Sequence, residues 1–409
     1  MEHPPTHARY WVIVFAVTLA VLAYVDRVAI SQAAGPMSRD LDLSKSEMGL
    51  VFGAFALSYA LFEIPSGWLG DRIGPRRVLL RIVLAWSAFT ALTGAALNFA
   101  SLSLTRFLFG AGEAGCFPNL TKAFSLWIPG AERARAQGIM WAFARWGGAF
   151  TPPLVMFAFE FMSWRAAFAA FGAVGLIWCF AFARWFRDRP ADHPSVNAAE
   201  LALIGTPDSV ATHAGAPWRR LIASRSVWLL CIQYFCVSFG WYFYITWLPT
   251  YLQEFRRLSA ADAARLAIFP LLFGGFGSLI SGAVSSRYPA ARRAVAIAGM
   301  LGAGVLIMLV MRIAPAFPAM LVMGLASFAN DLAVPAAWHA CMDIGGRFSG
   351  TVSGSMNTMG NLAGFLAPVF GGFLLDRTHG DWNLLLYVMA AVYAAGALCW
   401  PWIDSRESL

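Results

Sequence analysis

About twelve stretches of roughly 20 mostly apolar residues, each enough to cross a bilayer as a helix, recur along this 409-residue chain. No other feature narrows the possible folds as much. They run roughly at 11–33, 48–69, 78–98, 100–122, 135–160 and 165–186, and after a break at 226–252, 263–284, 291–312, 316–341, 349–375 and 382–402. Only 13% of the residues are charged and 59% are hydrophobic, too little polar surface for a water-soluble protein of this length, so lipid is the expected solvent. The fold class expected is an all-α membrane protein of twelve transmembrane helices.

The one polar interval longer than a turn runs from Phe186 to Ser224 and carries Asp188, Pro190, Pro194, Pro207 and Pro217, the composition of a linker. The domains expected are residues 1–186 as an N-terminal six-helix bundle, 187–224 as a cytoplasmic linker and 225–409 as a C-terminal six-helix bundle. One arginine and no small-residue cleavage site precede the first apolar run, so that run reads as a retained helix. A net charge of +8 would suit nucleic acid, but the arginines sit in short loops between the apolar runs. They read as topology, and no nucleic acid partner is expected. With both termini placed in the cytoplasm, about 19 of the 30 Lys and Arg lie on the inner side against about 8 outside. The six cysteines fall inside spans without metal-ligand spacing and read as packing residues, with no metal site.

The halves share an ancestor. Ser66-Gly-Trp-Leu-Gly-Asp-Arg-Ile-Gly-Pro-Arg-Arg77 has a degraded echo in the segment from Ser281 to Arg293, about 215 residues on. Gly138, Gly148 and Pro152 align with Gly354, Gly364 and Pro368 at nearly the same offset, and Trp164 falls near Trp382. Parallel repeats of six helices predict a cavity at the repeat interface, opened alternately to either side as the halves rock. The runs Gly110, Gly112, Gly115 and Gly350, Gly354, Gly360, Gly364 suit close helix contact and bending, although ordinary packing serves any single one as well.

An ionisable side chain at mid-bilayer costs several kcal/mol unless it faces water or a partner. Those inside the spans are Asp26, Arg27, Glu63, Arg106, Glu113, Arg145, Asp331 and His339. Arg106 and Glu113 are seven apart, about two helical turns, and project from one face; Asp26 and Arg27 are adjacent and point about 100° apart. These four form the expected network. Burial favours a neutral carboxyl and a neighbouring guanidinium favours a charged one, so the carboxyl can switch. Protonating Asp26 or Glu113 would release an arginine to an arriving carboxylate; the bland alternative is a permanent ion pair fastening helices. Arg145 either grips the anion or pairs with a carboxylate, and Asp331 is either a third titrating site or satisfies a helix bend. Glu63 reads as a gating or inter-helix contact. The run Trp241-Tyr242-Phe-Tyr-Ile-Thr-Trp247 offers hydroxyls and ring faces to a polyhydroxylated ligand, or serves as an interfacial belt. Gly-x-Ser-x-Gly, HExxH and Walker signatures do not occur, which speaks against an enzyme and against ATP as the energy source.

The segment Gly67-Trp-Leu-Gly-Asp71-Arg72-Ile-Gly-Pro-Arg76-Arg77 resembles the loop between helices 2 and 3 of the major facilitator superfamily. More narrowly, Tyr24-Val-Asp-Arg-Val-Ala-Ile-Ser31, Arg106-Phe-Leu-Phe-Gly-Ala-Gly-Glu-Ala-Gly-Cys-Phe-Pro118, Trp127-Ile-Pro-Gly-Ala-Glu-Arg133 and Gly360-Asn-Leu-Ala-Gly364 resemble the anion:cation symporter family. That family holds bacterial galactonate, hexuronate, glucarate, tartrate and phthalate carriers and, more remotely, sialin and the vesicular glutamate transporters. The resemblance implies twelve helices in two bundles related by pseudo-two-fold symmetry. It implies Asp26 and Glu113 as proton carriers, Arg27 and Arg106 as their switchable partners, Tyr24 and Asn361 as substrate contacts, and Asp71, Arg72 and Arg76 as an intracellular gate. One departure stands out. Sugar-acid carriers of the family often have Gln near the position of Ala144, whereas this chain reads Ala144-Arg145-Trp146-Gly147-Gly148, an extra arginine that favours an anion such as a dicarboxylate.

The expected function is proton-coupled import of a small organic anion, foremost a sugar acid such as an aldonate, hexuronate or aldarate. Tyr24, Arg27, Arg106, Arg145, Tyr242, Trp247 and Asn361 are the candidate substrate contacts. The expectation includes protons as the coupling ion, no cofactor, a monomer in the bacterial inner membrane, and lipid as the other partner. The alternatives are proton-coupled export of a drug or metabolite, uptake of an aromatic or dicarboxylic acid, and a sensor that has lost transport.

Overall fold

The computed structural model describes residues 4–43, 45–205 and 218–404; residues 206–217, with Pro207 and Pro217 of the expected linker, lie outside them, as do 1–3, 44 and 405–409. The helices are α1 (Arg9–Asp40), α2 (Lys45–Ile73), α3 (Pro75–Thr93), α4 (Phe99–Glu113), α5 (Cys116–Trp127), α6 (Gly130–Phe161), α7 (Trp164–Trp185), α8 (Ala198–Ile204), α9 (Trp218–Ala223), α10 (Arg225–Thr246), α11 (Leu248–Thr250), α12 (Ala260–Leu266), α13 (Ile268–Arg287), α14 (Arg292–Val310), α15 (Ala316–Asp331), α16 (Val334–Gly345), α17 (Ser349–Arg377) and α18 (Trp382–Cys399). Helix is the form that satisfies every backbone N–H and C=O within one segment, which lipid demands. By length and composition, eight helical stretches of the described residues can cross a membrane, one of them the 60-residue Ala316–Leu375. Leu57, Leu61, Phe150, Phe157, Ile177 and Phe365 are exposed, as lipid-facing side chains must be.

Two of the expected spans are interrupted near their middle, each dividing into two helices of at least 12 residues. The span expected at 100–122 breaks at Ala114-Gly115, between α4 and α5. Gly115 has φ +85°, and a Cβ there would run into Ser66, so only glycine makes this turn. The span expected at 316–341 breaks at Leu332-Ala333, where Pro335 near the start of α16 has no N–H to continue α15. In both cases an acid is the last residue before the break, Glu113 in α4 and Asp331 in α15.

Cα packing divides the chain into two units. The first comprises Met1–Gly130, Phe150–Ala216 and Gly345–Gly354. Within it α2 packs on α4 and α3 on α7, over a core that includes Ile30, Met37, Val51, Leu102, Val155 and Phe168. The sequence writes the helix starts. Asn98 and Ser101 form a capping box on α4, and Ser163 caps α7. Pro75 opens α3 after Gly74, and Asp188 accepts the next amide, Arg76 N–H, at 2.9 Å.

Part of the expected linker is folded against the start of α1. Glu200 of α8, fully buried, accepts from the Thr6 hydroxyl, from the amides of Ala8 and Arg9 at 3.0 Å each, and from Arg9 Nη1 at 3.2 Å. Burial pushes this carboxyl up, but the Thr6 hydroxyl, the Arg9 and Ala8 amides and the Arg9 guanidinium outweigh it and hold it below its ordinary range.

The second unit comprises Ala131–Ala149, Pro217–Ile344 and Ser355–Leu409. Here α13 and α14 pack on α15, and α10 and α14 on α18, around Leu248, Tyr251, Met320, Met323, Leu386 and Tyr393. Along α17 the glycines receive the aromatic side chains of α10 and its continuation: Tyr234 lies where a Cβ on Gly360 would go, Tyr242 where one on Gly364 would go, and Trp247 against Gly371.

Candidate functional site

In the first unit, α1 brings Asp26 and Arg27, and α4 brings Arg106 and Glu113, into one cluster. Arg27 Nε donates to Glu113 Oε1 at 2.7 Å. The Arg27 guanidinium lies 4.5 Å from the centre of the Tyr59 ring, with Phe55, Phe117 and Tyr24 at 5.5, 5.6 and 5.7 Å. Asp26 stands within Coulombic reach of Glu113 and Arg106, against Trp86. Arg106, only 2% exposed, lies over Phe109 at 4.4 Å and Phe55 at 5.3 Å. It makes no hydrogen bond or close ion pair with any described residue, and its buried Nε has no acceptor. Glu113 Oε2 and the Tyr59 hydroxyl are likewise buried without a partner among the described residues. A guanidinium kept from water and from a direct acceptor is costly, and an anion placed against it recovers that cost.

In the second unit, Arg145 of α6 and Asp331 of α15 form a bidentate pair, Nε to Oδ2 at 2.8 Å and Nη2 to Oδ1 at 3.1 Å. Asn330 Nδ2 adds a donor to Oδ1 at 2.8 Å, and the Arg145 guanidinium lies 3.3 Å from the Trp241 ring centre. Of the two readings open for Arg145, the geometry displays the carboxylate pair. Tyr242 and Asn361 meet, hydroxyl to Oδ1 at 3.4 Å, whereas Trp247 donates to the Pro368 carbonyl and packs on Trp382. Trp241, Phe243 and Tyr244 of the same run are buried in the core of this unit. His339 joins Arg292 and Asp343 in a separate polar cluster.

The end of α2 carries a third cluster. Asp71 accepts from the amides of Gly350 and Thr351 at 3.0 and 2.6 Å and from the Thr351 hydroxyl at 2.6 Å. It thereby caps the positive N-terminal end of α17. Lys122 of α5, fully buried, lies 3.4 Å from Asp71 and donates to the Arg347 carbonyl, so acid and base each meet the end of a helical segment that suits its charge. Arg76 donates to the Ala183 carbonyl, but Arg72 is exposed over Trp68 and is not part of the cluster. Glu63 accepts the Gly115 amide at 3.1 Å and so serves the break that follows Glu113. Lys122→Ala strands a buried carboxylate, and the expected cost is about 3–5 kcal/mol, read as a lower unfolding temperature of the purified protein. An unchanged unfolding curve would mean that Lys122 does not stabilise this cluster.

Sequence reasoning passed over Lys122, Tyr59, Phe55 and Trp86. Lys122 stood at the end of an expected span, where lysine is unremarkable, and the aromatics carry no mark that separates a ring beside a guanidinium from an ordinary packing residue.

Charged groups held inside apolar helices, two of which are broken directly beside an acid, define a multi-pass secondary transporter. The chain belongs to the Major Facilitator Superfamily, whose family model matches residues 16–368. It is 39% identical over 387 residues to a probable sulfoacetate transporter of Cupriavidus necator, covering 92% of this chain and 89% of that protein. It is 30% identical over 392 residues to a probable L-galactonate transporter of Escherichia coli, covering 93% and 86%. Among solved structures, the proton:xylose symporter XylE superposes with a TM-score of 0.76 at 14% identity, covering 97% of this chain and 96% of XylE, a likeness of fold.

Proposed function

We propose that this protein imports a small organic anion together with protons, by alternating access, across the bacterial inner membrane, working as a monomer with both termini in the cytoplasm and with no cofactor. The observation that carries the reading is Arg106, buried and without a direct acceptor, beside a carboxylate-bound arginine, Arg27 on Glu113, and a second acid, Asp26. Each acid group of an anion entering such a cluster as a bare charge would add one negative charge to a poorly solvated site. If Glu113 or Asp26 takes up a proton as one such group arrives, the cluster's net charge is unchanged. The names of the 39% and 30% identical relatives support a short organic acid, either a sugar acid or a sulfonate-bearing acid.

The test is uptake by the purified protein in liposomes of labelled L-galactonate, glucarate and sulfoacetate, with and without an acid exterior. The expected result is accumulation of at least one of them that a protonophore abolishes. Accumulation indifferent to the pH gradient would overturn proton coupling, and accumulation of a neutral sugar with none of these acids would overturn the anion.

A further inference from the structure

The Arg27–Glu113 pair of the first unit has a counterpart in the second. Glu113 is the last residue of α4 and Asp331 the last of α15, and each is followed by a break and a second short helix, α5 or α16. The two acids stand about 218 residues apart, close to the offset of the internal repeat. Each is fully buried, each accepts from an arginine through Nε, at 2.7 Å for Glu113 and 2.8 Å for Asp331, and each arginine lies against an aromatic ring, Tyr59 or Trp241. The arginines themselves are not repeat equivalents, since Arg27 comes from α1 and Arg145 from α6. The same pairing has been assembled twice from different sources.

We infer that Asp331 is a further proton-coupling residue, which takes up a proton when the transported anion claims Arg145. This rests on the proposed anion–proton symport and deepens it. The exchange balances for the one acid group that meets Arg145: the Asp331 carboxylate, the guanidinium and that acid group carry one net negative charge, and a proton from the aqueous phase on Asp331 brings the three to zero. Arg145 stays cationic throughout, trading a bidentate carboxylate for the acid group of the anion. The groups set against Asp331 are Arg145 of α6, Tyr244 of α10 and Tyr393 of α18, together with Asn330 of its own helix. α13 and α14 meet this part of α15 through Gly274, Gly277 and Gly299. A Cβ on Gly274 would lie 2.7 Å from Asp331 Oδ2, so the pair is enclosed by close backbone packing.

The experiment measures, for purified wild type, Asp331→Asn and Arg145→Lys, the protons taken up per sulfoacetate or L-galactonate bound and the affinity across pH. Size exclusion and thermal unfolding verify the fold. In the wild type, anion binding takes up protons and weakens as pH rises; if it does neither, the symport reading itself fails. In Asp331→Asn, which imitates the protonated acid, uptake is expected to fall by one proton per anion, and affinity at alkaline pH to exceed that of the wild type. Arg145→Lys keeps the pair's charges but loses the fork, and is expected to weaken binding about tenfold while its pH dependence persists. Unchanged proton uptake in a folded Asp331→Asn would overturn the inference, as would its failure to bind at any pH. Should Asp331→Asn fail to fold, wild-type affinity in Arg145→Lys would overturn it.

Discussion

Arg106→Ala is expected to reduce uptake to that of empty liposomes and to weaken anion binding by about 100-fold or more. A hydrogen bond to a charged group contributes about 1.5–3 kcal/mol, and a guanidinium offers two in parallel to one acid group. At about 1.4 kcal/mol per tenfold, losing both reaches that figure. Arg106 has no direct acceptor among the described residues, so this interaction is available to a ligand without first breaking another. Alanine also removes a cation that lies within Coulombic reach of two acids, so Arg106→Lys is the control that keeps the charge. With a point charge in place of a planar fork on Phe109, it is expected to weaken binding about tenfold or more. Direct binding of labelled anion to the purified variants reads both effects. Wild-type affinity in Arg106→Lys would mean that the anion does not use this guanidinium.

The sequence carried the four-residue cluster because its signal is local and costly: charge inside an apolar run needs a reason, and the seven-residue spacing of Arg106 and Glu113 places them on one face of a single helix, α4. The all-α membrane fold was legible on the same ground, since apolar length is what a membrane reads. Other features are not local. Arg145 and Asp331 are 186 residues apart, and nothing near either names its partner. Gly115 stands in a row with Gly110 and Gly112, and composition does not say which one takes positive φ. That depends on Ser66 and Glu63 from another helix. The gate motif named Asp71, Arg72 and Arg76 together, yet only tertiary packing separates a buried Asp71 at the start of α17 from an exposed Arg72. The aromatics from Trp241 to Trp247 read equally as ligand surface or interfacial belt because the glycines that receive them lie on α17, more than a hundred residues away.

Glu113→Gln is expected to separate two activities that the wild type performs together. Gln matches Glu in size, and its carbonyl can still accept from Arg27 Nε as Glu113 Oε1 does at 2.7 Å. Its amide takes the position of Oε2, which has no partner among the described residues. The variant therefore resembles the protonated carrier and cannot give the proton up. Accumulation driven by an acid exterior requires Glu113 to load on one side and release on the other, and it is expected to fall by at least about tenfold. Exchange of labelled for unlabelled anion needs only binding and reorientation with the site occupied, so it is expected to persist in part. A neutral residue 113 also leaves Arg27 less firmly held, and the wild-type loss of affinity as pH rises through deprotonation of the cluster should flatten. Both activities are measured on one batch of proteoliposomes, so the protein content of the two assays is the same. Equal loss of accumulation and exchange would place Glu113 among the residues that hold the helices together, and the proton would have to travel on Asp26 or Asp331.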